Sequence, residues 1–467
     1  MTAPLWTAFD IASATDGEVF GDFAAHGVAF DSREVGPGDL FVALKGEATD
    51  GHRFVDGAFA AGAAGAIVSD AVNGPHVRVA DTVAALDALG AASRARTNAK
   101  IIGVTGSVGK TGTKEALFAA FDRAAPGAAH RSLKSYNNHV GVPLSLARMP
   151  ADTRYGVFEM GMSAAGELAA LTRLVRPHVA VVTTIAPAHS AFFASEEAIA
   201  DAKGEIFQGL EPGGTAIIPF DSPHRDRLIA AARPYAGRIW TFGRGEGADI
   251  RAREAVRGHR GTLIAATLPG AELTFSLAPP GDHWVANAMA VIAAVHAVDG
   301  DLAAAGLALA DMAGLAGRGR RVTARVRDGD ALVIDESYNA NPASMAATIA
   351  LLGEEKAGRR IVVLGDMREL GEKSPVYHAA LAQPLAQANV DFALLVGPEM
   401  AALANELEGR VDFAHVPDAA AALARIDDLI EAGDAVLIKG SNAIGLARLV
   451  EHLGSGAVAA GNKPCSI

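Results

Sequence analysis

The chain of 467 residues contains one cysteine, Cys465, close to its C-terminal end. A single thiol closes no disulfide within the chain, and at that position it supplies neither a thiolate metal site nor a catalytic nucleophile. Basic residues are also in short supply, 41 Lys and Arg against 53 Asp and Glu, a formal net charge of −12. That excludes a general nucleic-acid binder, which needs a basic face, but a local cluster of cations can still hold a small anion. The N-terminal Met1-Thr2-Ala3-Pro4-Leu5-Trp6 has no basic region leading into an apolar core, so no signal peptide is expected. The longest apolar stretch, 178–193, is interrupted by Thr, Pro and His and is too short to span a bilayer. Internal repeats and low-complexity tracts are lacking too, apart from an alanine bias. What remains is half hydrophobic and one-fifth charged, the balance of a globular chain. Its length predicts about three domains. These features together predict a soluble, cytoplasmic protein.

The most informative stretch is Thr105-Gly106-Ser107-Val108-Gly109-Lys110-Thr111. An apolar run with strand character, 100–104, feeds it, and a helical pattern follows from Lys114 to Phe121. Glycines at 106 and 109 leave room for backbone N–H groups to curl round an anion, and the next helix adds its positive end. Lys110 would bring a mobile positive charge to terminal phosphates, and the Thr111 hydroxyl a ligand for Mg²⁺. The full phosphate-loop pattern lacks its first glycine here, since position 104 is Val, so this is a shortened form. ATP is the expected nucleotide.

Along the chain, 39–45, 65–69 and 76–79 read as strands of a small α/β unit, and the polar, alanine-rich 91–99 reads as a link. Two polar turns stand out, Asp31-Ser32-Arg33 and Gly46 through His52; by spacing alone both also fit ordinary capping and Asp-Gly turns. From about 100 to 317 strands and helices alternate in a doubly wound pattern, with strands at 100–104, 155–159, 178–185, 214–218 and 238–242. Ligands in such sheets sit beyond the carboxyl ends of the strands. That places Glu159 and His189 on the rim of the phosphate loop, as metal ligands or as a loop carboxylate and a capping histidine. Residues 248–277 read as an antiparallel addition. His283 and Asn287 share one face at the start of the apolar helix 288–298, where they suit base recognition or capping. Strands at 331–334, 360–364, 391–396 and 434–438 form a third alternating unit with no second phosphate loop.

Several separated motifs together resemble one family, the Mur ligases of cell-wall synthesis. They are Asp31-Ser32-Arg33 with Gly38–Gly46 and Asp50-Gly51-His52; the 105–111 loop; Asn137-Asn138 with Gly141-Val142-Pro143; Glu159-Met160-Gly161; Ala188-His189; and Lys203-Gly204-Glu205-Ile206-Phe207. In the last third they are Gly317-Arg318, Asp335 with Tyr338-Asn339-Ala340-Asn341-Pro342 and Ser344, Gly365-Asp366-Met367 with Glu369-Leu370-Gly371, and Lys439-Gly440-Ser441. The chain departs from the family pattern at Ser190, Glu336 and Asn442. The Tyr-Asn-Ala-Asn-Pro segment, and the lack of an Asp-Asn-Pro-Arg motif, point within the family to the last, dipeptide-adding step.

The resemblance implies three α/β domains: 1–98 for a UDP-sugar, 99–317 as a central doubly wound P-loop ATPase domain, and 318–467 as a Rossmann-like ligase domain. It implies ATP-dependent addition of D-alanyl-D-alanine to a UDP-N-acetylmuramoyl-tripeptide through an acyl phosphate, by a monomer without membrane insertion. By the same resemblance Lys110, Glu159, His189 and Lys203 form the catalytic set. Thr111, Glu159, His189 and a carbamylated Lys203 would hold Mg²⁺, although Lys203 by itself reads as a solvated helix lysine. Asn137, Asn138, His283, Asn287, Arg318 and Asp335 would join the 105–111 loop around ATP. Ser32, Arg33, Gly46, Asp50 and His52 would meet the UDP-sugar, and Tyr338, Asn339, Asn341 and Ser344 the dipeptide. Two other readings use the same loop: a sister amide ligase (one adding the third peptide residue, or a folate polyglutamylating enzyme) and a nucleotide-binding module that joins nothing.

Overall fold

A computed structural model describes residues 3–46, 49–186, 193, 195–258 and 261–455. The architecture is α/β in three domains, each built on its own sheet. In the centre, apolar runs such as Ile101-Ile102 and Val179–Val182 are buried on both faces, as parallel strands covered by helices must be. Nine strands line up in the spatial order Ala271–Leu277, Gly261–Leu268, Ile250–Gly258, Arg238–Gly243, Thr215–Pro219, Val179–Val182, Lys100–Thr105, Tyr155–Glu159 and Ala129–Arg131. The strands from Ala129–Arg131 back to Ile250–Gly258 are parallel, and the last two turn back antiparallel. The expected antiparallel addition is therefore an extension of the central sheet itself.

Chain order reverses around Lys100–Thr105, which lies between Val179–Val182 and Tyr155–Glu159. Glu159 pairs with Val104, and Val182 with Thr105, so three strands end together at this switch point. Helices Lys110–Ala124, Asp282–Ala297 and Leu302–Ala310 pack one face, through Leu117, Phe121, Val291, Val295 and Leu309. Glu167–Val175, Glu196–Gly204 and Arg225–Ala232 pack the other, through Leu168, Val175, Ile199 and Leu228.

The first domain's sheet runs Glu18–Phe20, His76–Arg78, Gly65–Val68, Asp39–Val42 and Gly27–Ala29, parallel except for the first pair. The segment 91–99 is not a bare link. Its first half ends the helix Thr82–Ala95, whose Ser93 and Arg94 are buried. Arg94 donates to the carbonyls of Val175 and Arg176 and pairs with Glu211, so its polar character serves the seam with the central domain. Leu144 and Ala147 of the central domain complete the first domain's core. The third sheet runs Arg320–Val326, Gly329–Glu336, Ala435–Lys439, Arg360–Gly365, Phe392–Val396 and Asp412–Val416, again parallel beyond its first pair.

Candidate active site

The phosphate loop sits at the switch point, and its two glycines are there for room. Gly106 has φ +150°, and a Cβ there would lie 1.9 Å from Thr183 Oγ1; Gly109 has φ +88°, and its Cβ would lie 2.7 Å from Asn287 Oδ1. Only glycine lets the chain turn this tightly between a neighbouring strand end and the helix Asp282–Ala297. Thr183 fixes the turn by donating to the Val108 carbonyl at 2.6 Å, and the Ser107 hydroxyl accepts the Ala186 N–H. Helix Lys110–Ala124 then points its free N–H groups into the loop.

Lys110 folds back over this turn, donating to the Gly106 carbonyl at 2.7 Å. Burial pushes its amine below the ordinary range; Glu159 opposes that shift, and the Arg318 guanidinium of the third domain adds to it. Beside it the Thr111 hydroxyl donates to Glu159 Oε2 at 2.7 Å, and Asn137 Nδ2 donates to Oε1 at the same distance. The Glu159 N–H is received by Ser132 Oγ. Glu159 is thus a buried carboxylate with each oxygen held by one neutral donor, next to a hydroxyl, an oxygen pair that suits a hard divalent cation. Lys203 is fully buried at the end of helix Glu196–Gly204 and is not the solvated residue its surroundings in sequence resemble. Burial, reinforced by the Lys110 charge, drives its amine well below the usual lysine range, so it is held towards the neutral form. His189 lies outside the described residues.

The other expected residues divide between the site and the framework. Asn287 packs on Gly109, and His283, four residues earlier, is pushed down to about 4 by burial with Lys439 nearby. Arg318 stacks over Tyr338 at 4.4 Å. Asn138 accepts the N–H groups of Val140 and Gly141 at the start of the helix Gly141–Ala147. Asp335 is buried, with Oδ2 accepting from the Gly317 N–H and Arg320 and Oδ1 from Ser337. It ties the entry to the third domain in place. Asn341 and Ser344 form a reciprocal capping box on helix Pro342–Gly353, and Asn339 caps its own turn at the Ala340 N–H.

In the first domain, Ser32 and Arg33 lie in a short helical turn where Arg33 pairs with Asp31, pulling that carboxyl down to about 2. Gly46 is exposed and donates to the Thr49 carbonyl. His52 Nδ1 meets Asp50 at 2.6 Å, and its Nε2 accepts the Ser69 N–H at 2.8 Å, so both ring nitrogens are engaged. With that lone pair committed, His52 has no free nitrogen to offer a metal in the Asp50, His52 and Asp70 group.

Three residues at the site carry weight that their sequence context conceals, and Lys439 of the Lys-Gly-Ser motif joins them. Ser132 and Thr183 follow no motif; only the folded rim brings them to Glu159 and the loop. Lys114 looks like a surface helix residue but is fully buried. Lys439, which ends a buried strand, donates to the Asn339 carbonyl at 2.9 Å.

A glycine turn at a sheet's switch point, with a lysine over it and a hydroxyl–carboxylate pair beside it, is the signature of P-loop nucleotide-dependent enzymes. Three family models match in succession: the Mur ligase family catalytic domain over residues 24–105, the Mur ligase middle domain over 104–295 and the Mur ligase glutamate ligase domain over 317–442. The chain belongs to the Mur ligase family. It is 35% identical to the UDP-N-acetylmuramoyl-tripeptide–D-alanyl-D-alanine ligase of Bacillus subtilis (strain 168), covering 92% of this chain and 93% of that one. The same ligase of Escherichia coli (strain K12) is 33% identical over 96% and 98% of the two chains. A crystal structure of MurF from Acinetobacter baumannii superposes with a TM-score of 0.83 at 32% identity, over 96% of this chain and 99% of that one. The MurF ligase of Thermotoga maritima in complex with ADP gives 0.75 at 26% identity, over 92% and 98%.

Proposed function

We propose that this protein joins D-alanyl-D-alanine to the terminal carboxylate of a UDP-N-acetylmuramoyl-tripeptide, using ATP with Mg²⁺, and that its domains divide at 98/99 and 317/318. Forming an amide from a carboxylate is uphill in water, so the acid must first be activated. The γ-phosphoryl of ATP passes to the tripeptide carboxylate, giving an acyl phosphate and ADP. The dipeptide's neutral amine attacks the acyl carbon, a tetrahedral intermediate collapses, and inorganic phosphate leaves. Charge repulsion between carboxylate and γ-phosphate is the physical obstacle to the first step. Lys110 and the N–H groups of the loop act on it by holding the β- and γ-phosphates.

Mg²⁺, when bound, would supply further positive charge against that repulsion, and Thr111 with Glu159 are the residues that would hold it. Asn137 orients Glu159. Lys203 is suited to carbamylation because a neutral amine is the form that reacts with CO₂; as a carbamate it would present an anion, with His189, to a second Mg²⁺. His283 and Asn287 are assigned to the adenine, Arg318 and Asp335 to the ribose–phosphate side, and Asn138 to the turn that carries Asn137. Ser32, Arg33, Gly46, Asp50 and His52 shape the UDP-sugar seat. Tyr338 and Asn339 face the dipeptide, on the turn that Asn341 and Ser344 cap.

The observation that carries the reading is the geometry at the loop, where Lys110 lies over the Gly106 turn and the Thr111 hydroxyl pairs with the buried Glu159. Mass spectrometry of products from UDP-tripeptide, D-alanyl-D-alanine and MgATP is the test. A UDP-pentapeptide formed with ADP and phosphate is expected. Phosphate release without a peptide product, or ligation of glutamate or diaminopimelate instead, refutes it.

A further inference from the structure

The segment 132–138 connects two regions that no motif in the sequence links. On one side it serves the phosphate site: Ser132 Oγ accepts the Glu159 N–H, and Asn137 holds the Glu159 carboxylate while its carbonyl accepts from Gly161. On the other it grips the first domain. Tyr136 donates its hydroxyl to Glu34 Oε1 and Oε2, at 2.9 and 2.8 Å, and Lys134 pairs with the same carboxylate. Glu34 closes the helical turn Ser32–Glu34 and directly follows Arg33 of the proposed UDP-sugar seat. Phe30, just before that turn, packs against Tyr136 at 5.6 Å between ring centroids.

The segment is also held from beneath and under strain. The Lys114 ammonium, fully buried in the phosphate-loop helix, spends its three N–H donors on the Ser132 carbonyl, the Lys134 carbonyl and Glu115, each at 2.9 Å. Between those anchors Lys134 adopts φ +49°, a left-handed conformation costly for a residue with a side chain. Its carbonyl is fixed by Lys114 and its ammonium by Glu34. A residue kept in an unfavourable backbone state from both ends fixes the register of everything after it, here Tyr136 and Asn137.

We propose that Glu34 and Tyr136 are positioning residues that couple occupancy of the first domain to the nucleotide site, through the 132–138 segment clamped by Lys114 and ending on Glu159. This rests on the first domain being the seat of the UDP-sugar. A ligand drawn against Ser32 and Arg33 fixes the turn bearing Glu34, which fixes Tyr136 and hence the Asn137–Glu159 contact; by linkage the effect is reciprocal.

The test is calorimetric titration of the full-length protein with a non-hydrolysable ATP analogue and Mg²⁺, with and without saturating UDP-N-acetylmuramoyl-tripeptide. In the wild type the UDP-substrate is expected to tighten nucleotide binding by about fivefold or more, the lower end of ordinary site-to-site coupling. Glu34→Gln and Tyr136→Phe, both at partly exposed positions, are expected to bind each ligand alone within about twofold of wild type while the coupling ratio falls to about one. A wild-type ratio of one overturns the proposal. So do variants that keep the wild-type ratio, including any that lose affinity equally with and without the second ligand, as a merely structural role would produce. Failure of the wild type to bind UDP-tripeptide at all strikes instead at the assignment of the first domain, and this coupling falls with it.

Discussion

Replacing Lys110 by methionine isolates the charge that the phosphate loop depends on. Methionine keeps most of the aliphatic stem and removes the ammonium that now reaches across the turn to the Gly106 carbonyl. Two magnitudes follow. In the ground state one charge-assisted hydrogen bond to phosphate is lost, about 1.5–3 kcal/mol, or about 10- to 150-fold in nucleotide affinity. The loop N–H groups and the helix end remain, so binding is weakened and not abolished. In the transition state a preorganised donor aimed at developing charge is worth about 2.7–4 kcal/mol, so kcat should fall a further ~10²–10³-fold. Stability should move the other way or not at all, because burial already disfavours the Lys110 charge in the empty protein. The assay is the rate of pentapeptide formation at saturating MgATP, with ADP affinity and a thermal melt measured in parallel. Pentapeptide formation at the wild-type rate would refute the assignment of the loop. Loss of activity matched by a collapse in melting temperature would refute the claim that Lys110 acts on phosphate and not on folding.

Two further outcomes are expected. For Lys203→Met, ligation should be lost, while the empty protein measured in CO₂-free buffer should be no less stable than wild type. The amine's folded pKa lies well below its unfolded value of 10.5, so the unfolded chain binds more protons between the two. Wild-type stability relative to Lys203→Met therefore rises with pH across that window, and urea unfolding at a series of pH values checks the sign. For Asn341→Ala, the capping box on helix Pro342–Gly353 is broken at a cost of about 0.5–2 kcal/mol. Urea unfolding should show that loss, and an unchanged midpoint would mean the motif is not spent on the cap.

Particular elements show how far a sequence can be read. Strands with several consecutive apolar residues were legible: 155–159 matches Tyr155–Glu159 residue for residue, and 360–364 and 434–438 lie within about one residue of observed strands. Three short or edge strands were not, although the short 76–79 was. Glu18–Phe20, Ala129–Arg131 and Asp412–Val416 have few inward apolar positions, and their pairing depends on a neighbour already in place. The 178–185 run gives a strand only over Val179–Val182; the Thr183 N–H still donates to the Thr105 carbonyl, while its hydroxyl holds the phosphate loop. Among site residues, Gly106, Lys110 and Thr111 could be read because the chemistry is local to seven residues. Ser132, Lys114 and Thr183 could not, since each meets its partner only across the folded rim.

The sequence alone determined that the chain is an α/β protein with one phosphate loop, and through its separated motifs it determined the family. Both follow from local causes: periodicity sets strands and helices, and a glycine turn followed by Lys-Thr sets up an anion site when a strand leads into it and a helix follows. Tertiary structure decided what each polar residue spends its hydrogen bonds on. Asp335, Asn341, Ser344 and His52 are expected from their motifs at ligands, and in the fold their side chains also tie backbone or one another together. Lys203, by contrast, reads by its own sequence context as a solvated helix lysine, yet in space it is fully buried, with its amine pushed well below the usual lysine range. The reason is that desolvation and hydrogen-bond competition depend on every group within a few ångströms, and many of those groups come from other parts of the chain.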